Sequence, residues 1–304
     1  MLEINDMFWV RSSIKCAQPE GTLFHQQTLH EFGRRSSYEA ALVLILIGAG
    51  DILDATGRVL FRCRKNLGIL GGPVIGVRVT KKKLLAEMHA AGLDDILVDK
   101  YIQRSRSQQA YYKEILLELV HYFWRTSSGQ HTIAFLHLYR FLERISYVFP
   151  MAYAMKSDDF RGTFDSLKSY VNGDKSGELK FFQNFIEVAL DQEQLDSNVH
   201  IDFNQLSARL GAEACGILRR NLDSDSFVGD PDATGAVIKC RSLIVLLINI
   251  RNRFFHATSG HRFNITMNQV DDPDKFFMTI NGAILNWLSV VYFNTLSAKS
   301  ERYS

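Results

Sequence analysis

Three side chains near the end of one apolar segment are of the types that phosphodiester chemistry needs. The segment Ile248–His256 contains a guanidinium at Arg251, an amide at Asn252 and an imidazole at His256. A guanidinium binds phosphate oxygens through several donors, and an imidazole exchanges protons close to neutral pH. Because a buried helix normally excludes charged groups, their appearance after a run of aliphatic residues needs a reason beyond packing.

Helical spacing decides which of these groups face the same way. Asn252 and His256 lie four residues apart and share one helical face, and Arg253 lies close to that face. Arg251 is rotated from it by more than a quarter turn, a gap that its long side chain can bridge. The dipole at the C-terminal end of a helix favours a protonated imidazole, which suits His256 to act as a general acid. The alternative interpretation is a helix end whose cations satisfy the last carbonyl groups.

Two antiparallel helices are predicted upstream of this segment. Apolar residues recur at three- and four-residue steps over residues 112–123, the stretch 126–129 breaks the pattern, and it resumes over residues 135–149. The second helix is expected to stop at Pro150 or shortly after. Two long helices joined by so short a turn are expected to pack antiparallel.

Three further helices are predicted in the second half of the chain. One covers residues 205–221 and is followed by an acidic loop over residues 223–235. The helix that carries Arg251 is predicted from Val237 to about Thr258, with its first turns buried on most sides. The last runs from Asp272-Pro273, where the Asp is the N-cap and the Pro takes the first helical position, to about Ala298.

The first hundred residues carry a weaker signal. A helix is predicted over residues 38–60, a β-branched strand over 74–79, and a helix over 81–91. The polar stretch 104–109 marks a boundary, so we expect an α-rich accessory region over residues 1–105 and a helical domain over residues 106–304. The accessory region has room for a few short strands, and a winged-helix-like module is one form of it. The predicted fold class is all-α.

The segment Arg251-Asn252-Arg253-Phe254-Phe255-His256 resembles the signature of the HEPN superfamily, in which an Arg and a polar residue precede a His near a helix end. Four residues separate the Arg from the His, a spacing that the signature allows. The stretch 138–147 also looks like the long helices of such domains. The resemblance covers residues 108–298 and implies a HEPN-like helical bundle. Two copies of such a bundle pair, so that motifs from both protomers line one cleft.

The resemblance implies a metal-independent endoribonuclease. The 2′-hydroxyl of the substrate would attack the neighbouring phosphate and leave a 2′,3′-cyclic phosphate and a 5′-hydroxyl end, so DNA would not be cut. His256 would move protons, Arg251 would stabilise the charge of the pentavalent phosphate, and Asn252 would orient His256 or a phosphate oxygen. The resemblance also implies an effector or toxin of a prokaryotic antiviral defence or toxin–antitoxin system. Its partners would be RNA, a second copy of the chain, and an antitoxin or defence protein.

Other side chains are weaker candidates. Arg253 and Arg262 could bind substrate, and Glu143 could serve as a catalytic or orienting carboxylate. The alternative for Glu143 is an ion pair with Arg140 on a solvated face. No metal site is expected, because the His residues lack Cys or carboxylate partners at ligand spacing, and no cofactor is expected either.

The composition is typical of a globular protein of the cytoplasm. Apolar residues make up 46% and charged residues 22%, which is too apolar for disorder. The four Cys form no CxxC pair, which argues against a zinc finger and a secreted disulfide scaffold. A net charge of +2 is too small to attract nucleic acid globally, so RNA binding needs a local patch. The longest apolar run, residues 40–50, is too short for a membrane span, and no membrane association is expected.

Two other functions stay open from the sequence. A HEPN-like bundle that no longer cuts RNA could be an interaction subunit of a larger defence complex, which the aromatic content of 12% would suit. Alternatively, the N-terminal region could bind DNA through Arg78 and the three lysines at 81–83, with the bundle as the dimerising part.

Overall fold

The structure is a computed structural model, and the fold that it shows is mixed α/β. About 64% of it is helical, and antiparallel strands form two small sheets, so the predicted all-α class is wrong. The missed strands have only four or five residues each, too few for an alternating pattern to be distinguished from a helical one. The structure describes residues 2–12, 37–65, 67–68, 108–154, 161–162, 165, 182–183, 185–187, 190–255 and 271–300.

The first sheet lies in the N-terminal region. Its strands are β1 (Leu2–Asn5), β2 (Phe8–Ser12), β3 (Gly50–Asp54) and β4 (Val59–Arg62), and they pair antiparallel in that order. Helix α1 (Tyr38–Leu46) packs on this sheet, and nearly all of its side chains are buried. The hydroxyl of Ser37 caps α1 by accepting a hydrogen bond from the backbone of Ala40.

The helix predicted over residues 38–60 is wrong beyond Leu46. Gly48 has a φ of 78°, and a Cβ there would lie 2.6 Å from the Lys65 carbonyl oxygen, so the chain turns where only glycine fits. A second turn joins β3 to β4, in which Asp54 Oδ1 accepts hydrogen bonds from the backbone of Thr56 and Arg58. The apolar residues of 50–62 therefore belong to two strands of a hairpin.

The predicted pair of antiparallel helices is confirmed. They are α2 (Gln109–Ser127) and α3 (His131–Ala154), and the chain reverses at Gly129 with a φ of 73°. Helix α3 continues through Pro150, and it packs against α2 and the last helix of the chain. The predicted apolar stripes of α2 and of the first part of α3 are buried, and further residues such as Glu118, Val120 and Phe141 are buried beside them.

The second sheet was not foreseen. Strand β5 (Asn198–Asp202) follows the short helix α4 (Gln192–Asp196) and pairs antiparallel with β6 (Gly235–Lys239). Helix α5 (Ala208–Asn221) lies between the two strands in sequence, three residues shorter at its start than predicted. The turn before β6 repeats the sequence Asp-Ala-Thr-Gly of the β3–β4 turn, and Asp232 Oδ1 accepts the same kind of hydrogen bond from the backbone of Thr234.

The helix predicted from Val237 begins later than expected. Residues 237–239 belong to β6, Cys240–Ser242 form a single 3-10 turn, and helix α6 spans Leu243–Phe255. Helix α7 (Pro273–Ser300) begins where it was predicted, and Asp272 Oδ1 accepts a hydrogen bond from the backbone of Lys275. Its stretch Pro273–Thr295 is long and apolar enough to cross a membrane, but 72% of its most apolar window is buried inside the protein.

The N-terminal sheet and the helices share one continuous core. Phe8 of β2 contacts the Trp124 ring of α2 at 5.4 Å between centroids, and Phe61 of β4 contacts Phe123 at 4.5 Å. The boundary at residues 105 and 106, the strand over 74–79 and the helix over 81–91 lie outside the described residues, and they stay predictions. The described part of the N-terminal region packs directly on α2.

Two glycines of α5 test how this helix docks. A Cβ on Gly211 would overlap the carbonyl oxygen of Ala233, whereas a Cβ on Gly216 would meet no atom within 4 Å. We expect Gly211→Ala to lower the free energy of unfolding by about 1–3 kcal/mol, because the backbone before β6 must shift. The matched control Gly216→Ala is expected to raise it by about 0.5–1 kcal/mol through helix propensity. Urea unfolding measures both, and equal effects would contradict the docking of α5.

Candidate functional site

An aromatic cluster fixes the C-terminal end of α6. Phe255 stacks on Phe135 of α3 with ring centroids 5.8 Å apart, and Phe254 meets Phe277 of α7 edge to face at 5.1 Å. Phe135 and Phe277 are fully buried and contact each other at 4.7 Å. Because three helices meet in this cluster, the last turns of α6, which carry Arg251 and Asn252, have a fixed position on α3.

Arg251 lies between α6 and α3. Its guanidinium carbon stands 4.7 Å from the centroid of the buried Tyr139 ring, a cation–π contact. One guanidinium nitrogen donates to Asn252 Oδ1 at 3.0 Å, and the other lies 4.0 Å from Glu143 Oε1. Tyr139 and Glu143 are four residues apart, so one face of α3 supplies both contacts.

The guanidinium is held on one side and open on the other. The Arg251 side chain is 26% exposed and the Glu143 side chain is 43% exposed. A pair at 4.0 Å between groups this exposed is weakly held, so a more strongly charged anion can compete with Glu143. A guanidinium positioned by a ring and an amide, with solvent on its remaining edge, is suited to bind a phosphate group. The predicted pair of Glu143 with Arg140 is not among the ion pairs of the described residues.

Arg253 lies on the opposite side of α6. Its guanidinium donates to the Arg220 carbonyl oxygen at the end of α5, and Asn249 donates to the Asn221 carbonyl at 2.8 Å. These contacts satisfy carbonyl groups of the last turn of α5. The alternative interpretation, that cations satisfy the last carbonyl groups of a helix, therefore accounts for Arg253, and Asn249 has the same role. The helix whose carbonyl groups they satisfy is α5. This interpretation does not account for Arg251.

His256 and Arg262 lie outside the described residues. The structure describes α6 as far as Phe255, the residue before His256 in the chain. Of the predicted catalytic residues, Arg251 and Asn252 are brought together, and Glu143 joins them. Sequence reasoning missed Tyr139, because its contact with Arg251 joins two helices and leaves no local signal in the sequence.

A second polar cluster lies between α2 and α3. His137 Nδ1 and Glu118 Oε2 are 2.8 Å apart, and the His121 ring stacks on the His137 ring at 5.0 Å between centroids. Arg144 binds both Glu114 and Glu118. The sequence indicated no carboxylate partner for His137, because Glu118 reaches it from another helix. Within the described ranges, no group of three or more His, Cys, Asp or Glu side chains is arranged to hold a metal ion.

Burial and neighbouring charges shift the pKa values of Glu118 and His121 in this cluster. Burial by itself raises the pKa of Glu118, but the hydrogen bond and charge of His137 and the nearby arginines bring it below the ordinary carboxyl value. Burial lowers the pKa of His121, and the stacked His137 lowers it further. His121 Nδ1 is buried and has no hydrogen-bond partner among the residues that the structure describes, which agrees with a neutral imidazole. The cluster therefore pairs one ionised carboxylate with one imidazole and keeps the second imidazole neutral.

Comparison of the chain with protein-family models, curated proteins and solved structures finds no match.

The neutral His121 gives the fold a predicted dependence on pH. Its pKa is lowered in the folded protein, so the unfolded chain binds the proton more readily once the pH falls below the ordinary value of 6.5. We expect the free energy of unfolding to decline between about pH 7.5 and about pH 5. In His121→Phe the ring contacts with Phe8 and His137 stay and the titration is lost, so the decline is shallower. Urea titrations across this range measure it.

The control for this experiment is His200→Gln, which removes an exposed imidazole of β5 and is expected to keep the wild-type slope. His131 adds to the wild-type slope, since burial also lowers the pKa of its side chain. A His121→Phe slope identical to that of the wild type would contradict the assignment of a neutral, half-buried His121.

Proposed function

We propose that this chain is a metal-independent endoribonuclease of the HEPN type. The single observation that carries the proposal is the position of Arg251, a part-exposed guanidinium held by Tyr139 and Asn252 at the polar end of an otherwise buried helix. The capping of a neighbouring helix, which accounts for Arg253, does not account for this guanidinium. The resemblance of residues 251–256 to the HEPN signature connects it with His256.

The reaction is an internal transfer of the phosphate ester. The 2′-hydroxyl oxygen of one nucleotide attacks the adjacent phosphorus while a base takes its proton. The bond from phosphorus to the 5′-oxygen breaks, and that oxygen takes a proton to become the 5′-hydroxyl end. His256 moves these protons, and Arg251 stabilises the added negative charge on the phosphate oxygens. The other product end is a 2′,3′-cyclic phosphate.

The hydrogen bond from Arg251 occupies the side-chain oxygen of Asn252 and so limits what this side chain can bind. Asn252 Oδ1 accepts from Arg251 at 3.0 Å, which leaves the amide nitrogen of Asn252 as a donor. A donor beside a guanidinium is suited to a phosphate oxygen. We therefore assign Asn252 to the phosphate and Glu143 to holding Arg251 in the absence of RNA.

The wider setting follows from the resemblance. The active form is a homodimer in the cytoplasm in which two copies of residues 251–256 line one cleft, and the substrate is RNA. The protein acts as an effector or toxin in prokaryotic antiviral defence or in a toxin–antitoxin system, and an antitoxin or defence protein restrains it.

Cleavage of RNA in the presence of EDTA tests the proposal. We expect the purified protein to cut single-stranded RNA without added metal. Removing the proton-transfer group in His256→Ala is expected to slow cleavage about 100-fold or more, and Arg251→Ala about 100-fold. Arg58→Ala, which removes an exposed arginine of the β3–β4 turn, is the control that keeps full activity. Equal cleavage by His256→Ala and the wild type would remove the proposed chemistry. Intact RNA together with a stable protein complex would favour an interaction subunit.

The ring beneath Arg251 provides a separate prediction. Replacing Tyr139 by Leu removes the cation–π contact, worth about 0.5–2 kcal/mol, and we expect cleavage to slow by about 2- to 30-fold. Tyr139→Phe retains the ring face and is expected to cut RNA at a rate close to that of the wild type. Rates are compared per folded protein, measured by circular dichroism. A loss of activity in Tyr139→Phe as large as in Tyr139→Leu would show that the ring face is not what positions Arg251.

A further inference from the structure

A large cavity lies where the two sheets meet the helical core. Its volume is about 780 Å³, within the range of about 300–1,000 Å³ that small-molecule sites span. Its walls come from the end of β4 and the residues after it, from α2, from β5 and from α7. The cavity is separate from the Arg251 site, since Arg251, Tyr139 and Glu143 are not among its lining residues.

The inner wall of the cavity is apolar and aromatic. Phe123 and Leu285 are buried there, and Phe61 is half-buried with its ring 4.5 Å from that of Phe123. Two aromatic rings and aliphatic side chains form a surface on which a flat apolar body can pack. Burial raises the pKa of Cys63 and of Tyr122, so these two lining side chains are uncharged near neutral pH.

Helix α7 leaves the cavity open in its middle. Gly282 lines the cavity, and a Cβ there would meet no atom within 4 Å. Its φ is not in the left-handed region, and no other backbone approaches it. A glycine inside a helix costs about 1 kcal/mol relative to alanine, so packing does not explain it. Its effect is to leave the cavity open along this turn of α7.

The rim of the cavity carries an excess of positive charge. Arg62 and Lys65 are exposed lining residues, and neither forms an ion pair within the part of the chain that the structure describes. Arg64 is already bound to Asp51 at 2.6 Å, a carboxylate that it shares with Arg11. The exposed lining residues also include His200 and the carboxylate of Asp202. The two free cations outnumber this one carboxylate, and their charge favours an anion.

We propose that this cavity binds a small organic anion with a flat apolar body. The body packs between Phe61, Phe123 and the open face of α7 at Gly282, and the anionic group lies at the rim beside Arg62 and Lys65. This site is independent of the RNA-cleaving activity proposed above. The apolar wall binds the body of the ligand, and the unpaired cations at the opening favour an anionic ligand over a neutral one.

Isothermal calorimetry with two matched probes tests the proposal. The first probe is anilinonaphthalene sulfonate, an aromatic anion, and the second is phenylnaphthylamine, the same ring system without the sulfonate. We expect one sulfonate probe to bind per chain and the neutral probe to bind about tenfold more weakly. In the double variant Arg62→Gln, Lys65→Gln, affinity for the sulfonate is expected to fall about tenfold, whereas affinity for the neutral probe is unchanged. The charge control Arg58→Gln, Lys113→Gln leaves both affinities as in the wild type.

A cavity-filling variant completes the test. Gly282→Phe places a ring in the open space and is expected to abolish binding of both probes. Gly216→Phe, the same change at a helical glycine of α5 outside the cavity, is expected to bind both as the wild type does. Circular dichroism and thermal melting show that each variant is folded. Binding that survives Gly282→Phe, or absence of binding to the wild type, would overturn the proposed site. Equal affinity of the wild type for the two probes would overturn the selection for an anion.

Discussion

The contact of Phe254 and Phe255 with Phe135 and Phe277 is the constraint on which the geometry of the candidate site depends. These rings join the end of α6 to α3 and α7, and two of them are completely buried. Without this anchor the last turns of α6 would lose their register against α3. Arg251 would then no longer lie over Tyr139. A rigid apolar cluster directly beside a charged group is how a fold can place a guanidinium reproducibly at its surface.

The polar residues of α6 face two different neighbouring helices. Asn249 and Arg253 face the end of α5 and satisfy carbonyl groups that its last turn leaves without partners. Arg251 faces α3, where it meets a ring and a carboxylate and remains partly exposed. The same segment therefore combines a structural role with a group that is available to an anion. Of these residues, the proposed nuclease site uses Arg251 and does not use Asn249 or Arg253.

The sequence predicted the long helices, which local periodicity defines, and missed the short strands, both those in local hairpins and those with distant partners. Helices α2, α3 and α7 follow from apolar stripes and from an Asp-Pro start, because these signals act within a few turns. Strands β5 and β6 pair across 32 intervening residues, and β6 leads into α6 through a continuous apolar run that resembles a helix. The repeated Asp-Ala-Thr-Gly was the available sign of both missed turns. For the site, Arg251 and Asn252 were recognisable from their spacing. Tyr139 was not, because its contact depends on the rotation of two helices relative to each other.

Replacement of one 2′-hydroxyl in the substrate is the sharpest test of the proposal that this chain cuts RNA through attack by the 2′-hydroxyl of the substrate. An RNA oligonucleotide is cut by the purified protein in EDTA, the cleaved linkage is mapped, and the oligonucleotide is remade with a single 2′-deoxynucleotide on the 5′ side of that linkage. We expect this linkage to become resistant and the unmodified RNA to yield a cyclic phosphate and a 5′-hydroxyl end. Continued cleavage at the deoxy linkage, or products with 5′-phosphate ends, would contradict it.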